Sequence, residues 1–134
     1  MKIKIDPRLM KFSEYVDENK KVLNIIFLIF LAICFLSTFF DLGVTYYFYK
    51  TTPNDFFNLE GNKCLVGEVQ NNNNFFTNQS VSLSIITILA VTLFFYLGYS
   101  GIKNKIIKLF FYEITFTCLI VISILHIYGG MTWL

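Results

Sequence analysis

Residues 22–40 read VLNIIFLIFLAICFLSTFF: nineteen positions without a formal charge, nearly all apolar, ending at the carboxylate Asp41. About 20 apolar residues at a helical rise of ~1.5 Å each cross a hydrocarbon core of roughly 30 Å, so this run reads as a transmembrane helix. Its apolar length exceeds that of a secretory signal core and no Ala-x-Ala site follows, so it is read as a retained span.

The rest of the chain agrees with that class. It is 55% hydrophobic, 19% aromatic and 15% charged, with a mean hydropathy of +0.59, whereas a soluble domain carries about 25% charged residues. Two further apolar runs follow, from about Val81 to Tyr99 and from about Leu109 to Leu134, the latter interrupted by Glu113, His126 and Gly129-Gly130. The sequence therefore predicts an all-α, three-span helical bundle over residues 22–134, with spans at about 22–49, 81–99 and 109–134. A net charge of +2 without a basic groove argues against a nucleic-acid partner.

Residues 1–21 form a separate segment. Asp6-Pro7 has the pattern of an N-cap followed by proline at the first helical position, and Leu9, Phe12 and Val16 recur at helical spacing among Glu14, Asp17 and Glu18. An amphipathic helix on the membrane surface is expected there.

Six of the eleven basic residues lie in residues 1–21, and Lys103, Lys105 and Lys108 lie between the second and third spans. The long 50–80 connection holds only Lys50 and Lys63. By the positive-inside rule the N-terminus faces the cytoplasm, while the 50–80 loop and the C-terminus lie outside a cell membrane.

That orientation gives each polar residue a depth. Asp41 lies roughly 28 Å along the first span and His126 roughly 25 Å along the third, travelling the opposite way from the same side, so both fall near the outer boundary. Asp41 and Thr45 share a helical face at i and i+4. Glu60-Gly61-Asn62 sits in the outer loop between apolar groups (Phe56, Phe57, Leu59, then Leu65, Val66) that favour folding back over the helix ends. Asp41, Thr45, Glu60, Asn62 and His126 are thus expected to form a polar clasp pinning the loop to the bundle, since ionisable groups in spans are costly unless paired. Glu113 belongs to the opposite end, where it is expected to pair with Lys105 or Lys108.

These residues resemble a family. Asp41-Leu42-Gly43-Val44-Thr45, Glu60-Gly61-Asn62, and His126 with Gly129-Gly130-Met131-Thr132-Trp133 are similar to a group of small archaeal and bacterial integral membrane proteins classed only as a domain of unknown function. That group shows Asp-x-x-Thr-Thr followed by Glu-x-Asn-Pro; here Val44 stands in place of the first threonine and Lys63 in place of the proline. The resemblance implies a layout over residues 22–134 and no activity.

The leading functional expectation is a structural or accessory subunit of a membrane complex, in contact with lipids and with other membrane subunits or further copies of itself. The alternative is a small metal-dependent membrane enzyme or transporter component in which Asp41, Glu60 and His126 bind a divalent metal. A single histidine supplies no paired-ligand motif, no other cofactor is indicated, and no complete catalytic signature is present, so the reading leans away from an enzyme. Cys34 and Cys118 fall inside spans as small hydrophobes, and Cys64 is the one loop thiol. Asn78-Gln79-Ser80 matches a glycosylation acceptor but lies against the second span. The tyrosines near the span ends and Trp133 have the placement of interfacial belts.

Overall fold

A computed structural model describes residues 6–61, 63–72 and 79–134. It is all-α, with no strand among the described residues and six α-helices: α1 (Pro7–Glu18), α2 (Lys20–Thr51), α3 (Pro53–Leu59), α4 (Lys63–Asn72), α5 (Gln79–Tyr96) and α6 (Lys105–Met131). Three stretches are long and apolar enough to cross a membrane: Lys20–Thr51, Val81–Gly101 and Lys105–Met131. This is the architecture of a membrane-integral protein.

Local chemistry explains the boundaries. Asp6 Oδ1 accepts the Arg8 N–H at 2.8 Å with Pro7 beginning α1, which satisfies one orphan donor of the first turn. Asn19 ends α1 by donating its backbone N–H and its side-chain amide to the Tyr15 carbonyl, at 3.1 Å and 2.8 Å. Asn104 starts α6, its Oδ1 accepting from the Ile106 and Ile107 N–H groups at 3.0 and 3.3 Å. Pro53 opens α3 directly after α2, where its missing N–H costs nothing.

Between α5 and α6 the chain widens into a π turn, Leu97–Gly101. Gly98 is buried there, and a Cβ on it would stand 2.9 Å from the Phe111 Cβ. The glycine lets the end of α5 lie against α6 at a separation no side chain would allow.

The core of the bundle is Phe27, Cys34, Ile88, Phe95, Tyr112 and Leu119. Phe27 and Phe95 stack with ring centroids 3.8 Å apart. Within the spans the buried hydroxyls turn back on their own helices: Ser37 and Thr38 donate to the Cys34 carbonyl, Thr115 to Phe111 and Ser123 to Leu119. Apolar burial gives little drive in lipid, so this bundle is held by close packing and a few polar contacts between helices.

The 50–80 connection, expected as a long loop, contains α3 and α4. Phe56, Leu65, Val66, Val69 and Val81 form a second core cluster, against which Leu42, Tyr46, Tyr49, Phe57 and Trp133 pack. The two short helices are a cap over one end of the bundle, and the three-to-four-residue recurrence of Leu65, Val66 and Val69 is the signal that α4 is helical.

At the other end, α1 lies against the start of α6. Lys108 Nζ donates to Asp17 Oδ1 at 2.5 Å, and Lys105 Nζ lies 3.8 Å from Glu14 Oε1. The Lys108 hydrogen bond holds the Asp17 carboxyl below its ordinary range, with the nearby lysine charges adding to the effect and partial burial opposing it. The expected pairing of Glu113 with these lysines is corrected: both are engaged by α1, and Glu113 is exposed without an ion pair or hydrogen bond among the described residues. The break at Asn19 brings the acids of α1 to the level of Lys105 and Lys108, whereas Glu113 sits further along α6.

Candidate functional site

The α2 and α6 helices come close together at the cap end, where α6 places Gly129 and Gly130 against α2. A Cβ on Gly129 would lie 2.8 Å from Asp41 Oδ1, and one on Gly130 would lie 2.5 Å from the Phe40 ring and 3.3 Å from the Asp41 Cα. Two glycines in succession remove the side chains that would otherwise separate the helices.

Into that approach α2 brings Asp41 and α6 brings His126, three residues before Gly129 and on the same helical face. His126 Nδ1 lies 2.6 Å from Asp41 Oδ2, and the side chains retain 17% and 20% of their exposure. An ionised carboxylate can only accept, so Nδ1 holds the proton and donates it to Oδ2. Asp41 Oδ2 and His126 Nδ1 thus find their partner on the neighbouring helix.

The pair forms part of the wall of a cavity of about 620 Å³, together with Thr45, Asp55, Glu60 and Trp133. Of the five residues expected at one site, Asp41, Thr45, Glu60 and His126 line this cavity, and Asn62 lies outside the described residues. The Cys64 side chain and Asn78 of the acceptor pattern also lie outside what is described. Glu60 is buried, and its backbone carbonyl accepts from Lys63 Nζ at 2.8 Å.

Thr45 differs from the other buried serines and threonines. It is 5% exposed and makes no hydrogen bond among the described residues, while Ser13, Ser37, Thr38, Thr115 and Ser123 each donate to a carbonyl of their own helix. Its polar capacity is therefore open to the cavity it lines.

Asp55 and Trp133 are site residues that sequence reasoning did not assign. The place of Asp55 at the cavity depends on α3 folding over the bundle, which chain position alone does not fix. Trp133 was legible as an interfacial aromatic; it stacks on Phe48 with ring centroids 5.0 Å apart and joins the cap to the end of α6.

For a metal centre the donors are too dispersed. Among the described residues no three His, Cys, Asp or Glu side chains stand close enough to hold one ion, so Glu60 does not complete a ligand set with Asp41 and His126. What the arrangement shows is a polar contact between α2 and α6 beside a cavity lined by three carboxylates and one imidazole. Comparisons with protein-family models, with curated proteins and with solved structures give no match.

Proposed function

We propose that this chain is a multi-pass subunit of a larger membrane assembly, with its Asp41–His126 clasp fixing the α3–α4 cap over the bundle end. The observation that carries the reading is Glu113. It is exposed on the same outward stripe of α6 as Phe110, Ile120 and Ile124, eight residues from Lys105 and hence about 12 Å along the helix. A carboxylate facing hydrocarbon is costly and is normally met by a partner. The described residues of this chain supply none, which favours a donor side chain from another membrane helix.

The exposure of the spans supports the same reading. In the most apolar stretch of each spanning helix only 22%, 28% and 22% of the residues are buried, so three small helices leave wide faces for lipid and for other subunits. The distribution of lysine and arginine favours the α1 end as cytoplasmic, with the cap and C-terminus outside a cell membrane. Leu9 and Phe12 of α1 are exposed, as they would be if α1 rested its apolar side on the bilayer surface. The family resemblance adds a layout to this reading and no activity.

Native mass measurement in lipid discs tests it. The parent chain is expected to leave the membrane with a second subunit or further copies, and Glu113→Leu is expected to lose them while remaining folded by circular dichroism. Recovery of the same assembly in the same yield from Glu113→Leu would remove the basis of the proposal.

A further inference from the structure

On the reading that Glu113 meets a donor from another subunit, we infer that this partner is a spanning helix of a different chain, carrying one lysine whose ammonium takes the Glu113 carboxylate and the Thr117 hydroxyl together. The seam that would receive such a helix is regular. Phe110, Glu113, Thr117, Ile120, Ile124 and Ile127 of α6 are all exposed, and their steps of three and four residues alternate without a break. That spacing averages about 3.5 residues, the repeat of helices wound around each other with a left-handed supercoil, which is the prevailing crossing in membrane bundles.

Thr117 supplies a second observation beside the unpaired Glu113. It lies one turn further along the same face, exposed, and makes no hydrogen bond among the described residues. Thr87 on α5 is exposed as well, yet it returns its hydroxyl to the Leu83 carbonyl at 2.8 Å, as Thr92 does to Ile88 and Thr115 to Phe111. Such a bond to the preceding turn satisfies a hydroxyl that faces hydrocarbon. Thr117 lacks it, so a carboxylate and a hydroxyl oxygen stand open to a donor on one face. The span Lys105–Met131 has its middle near Cys118, which sets Thr117 close to the centre and Glu113 about 8 Å from it toward the α1 end.

The chemistry of the pair selects the partner. No lysine or arginine occurs between Lys21 and Lys50, between Lys63 and Lys103, or after Lys108, and Lys108 is held by Asp17. A second copy inserted the same way up would bring Glu113 against Glu113 at one height about a two-fold axis. Like charges repel strongly where the dielectric is low, so this seam is not complementary to itself. A lysine from another chain supplies the opposite charge, and its three N–H donors reach the carboxylate and the hydroxyl at once. A guanidinium is a rigid planar fork that matches a carboxylate alone and leaves the hydroxyl out.

A designed probe helix tests the assignment. It is a single apolar span of roughly 20 residues, oriented by basic residues on its cytoplasmic flank, with one lysine about five residues from its middle on the α1 side. Probe and chain are expressed together in a bacterial membrane, recovered in lipid discs and weighed by native mass measurement. Two controls carry methionine in place of that lysine, or the lysine moved the same distance to the other side of the middle. Recovery with the lysine probe is expected to exceed both controls about tenfold. Glu113→Gln should abolish the preference and Thr117→Val should reduce it, with unchanged circular dichroism verifying the fold. Equal recovery of the lysine probe and either control, or a preference that survives both substitutions, overturns the proposal. Two differently tagged copies of the chain, weighed in the same discs, separate this assignment from the assembly itself. Copies joined to one another and parted by Glu113→Gln overturn the lysine-bearing partner and leave assembly through Glu113 standing. A parent chain recovered alone, with no preference for the lysine probe, overturns both.

Discussion

Replacing Gly129 by alanine tests the clasp at a point where only one methyl group changes. The added Cβ would lie 2.8 Å from Asp41 Oδ1 and 3.2 Å from its Cγ, so reaching ordinary contact at 3.4 Å requires the carboxylate to withdraw by about 0.6 Å. Gly129 and His126 share a face of α6, so withdrawal from one is withdrawal from the other. The 2.6 Å contact to His126 Nδ1 would then stretch to as much as about 3.2 Å, the long limit of a good hydrogen bond, so the value of that bond bounds the loss from above. A hydrogen bond to a charged group contributes about 1.5–3 kcal/mol, and alanine returns up to about 1 kcal/mol of helix propensity. The expected net loss is thus about 0.5–2 kcal/mol. Gly43→Ala is the control: nothing lies within 4 Å of its added Cβ, so it should gain stability by up to about 1 kcal/mol. Unfolding is followed in mixed micelles of rising dodecyl sulfate content by far-ultraviolet circular dichroism and Trp133 emission. The two alanines should move the midpoint in opposite directions, and the Gly129→Ala loss should vanish in a His126→Ala background, as a double-mutant cycle reveals. A shift of Gly129→Ala to the same side as Gly43→Ala, or a loss independent of His126, would refute the reasoning.

Other outcomes follow from the same structure. Gly130→Ala should cost about 1–3 kcal/mol by overpacking, because its Cβ would meet the Phe40 ring at 2.5 Å and the Asp41 backbone at 3.3 Å; removing His126 should not relieve it. Tyr112 has a buried hydroxyl without a hydrogen-bond partner among the described residues, so Tyr112→Phe should raise stability by about 1–3 kcal/mol in the same assay. Lys108→Met should release α1 from α6, seen as faster amide exchange across residues 7–18 with α2 unaffected. The Lys108 hydrogen bond holds the Asp17 pKa below its ordinary value, so its stabilisation is fully present above the unfolded-state pKa, about 3.9. It is lost as pH falls through the lower folded value. The protection factors of the α1 amides, each rate taken relative to the unstructured amide at the same pH, should accordingly fall only in that acidic range and stay level from about pH 5 to 8; a fall near neutrality would assign the attachment to another group.

The sequence by itself determined the class and the levels. An uninterrupted apolar run of bilayer length is a one-dimensional property, and the runs beginning at Val22, Val81 and Leu109 carry it without reference to one another. Depth is likewise additive along a helix, at about 1.5 Å per residue, so Asp41 and His126 could be set at one height from chain position alone. Rotation about each helix axis and adjacency between helices are not additive in this way, and only the tertiary structure decided them. Glu113 lies beyond the lysines along α6 and on an exposed face, and the lysines are taken by Asp17 and Glu14 after the break at Asn19. Asp55 joins the cavity because α3 folds across the bundle, a placement that depends on Phe56 packing with Leu65, Val69 and Val81 from later in the chain. The Asp41–His126 contact rests on Gly129 and Gly130 facing α2, so that two helix backbones approach where any larger side chain would hold them apart.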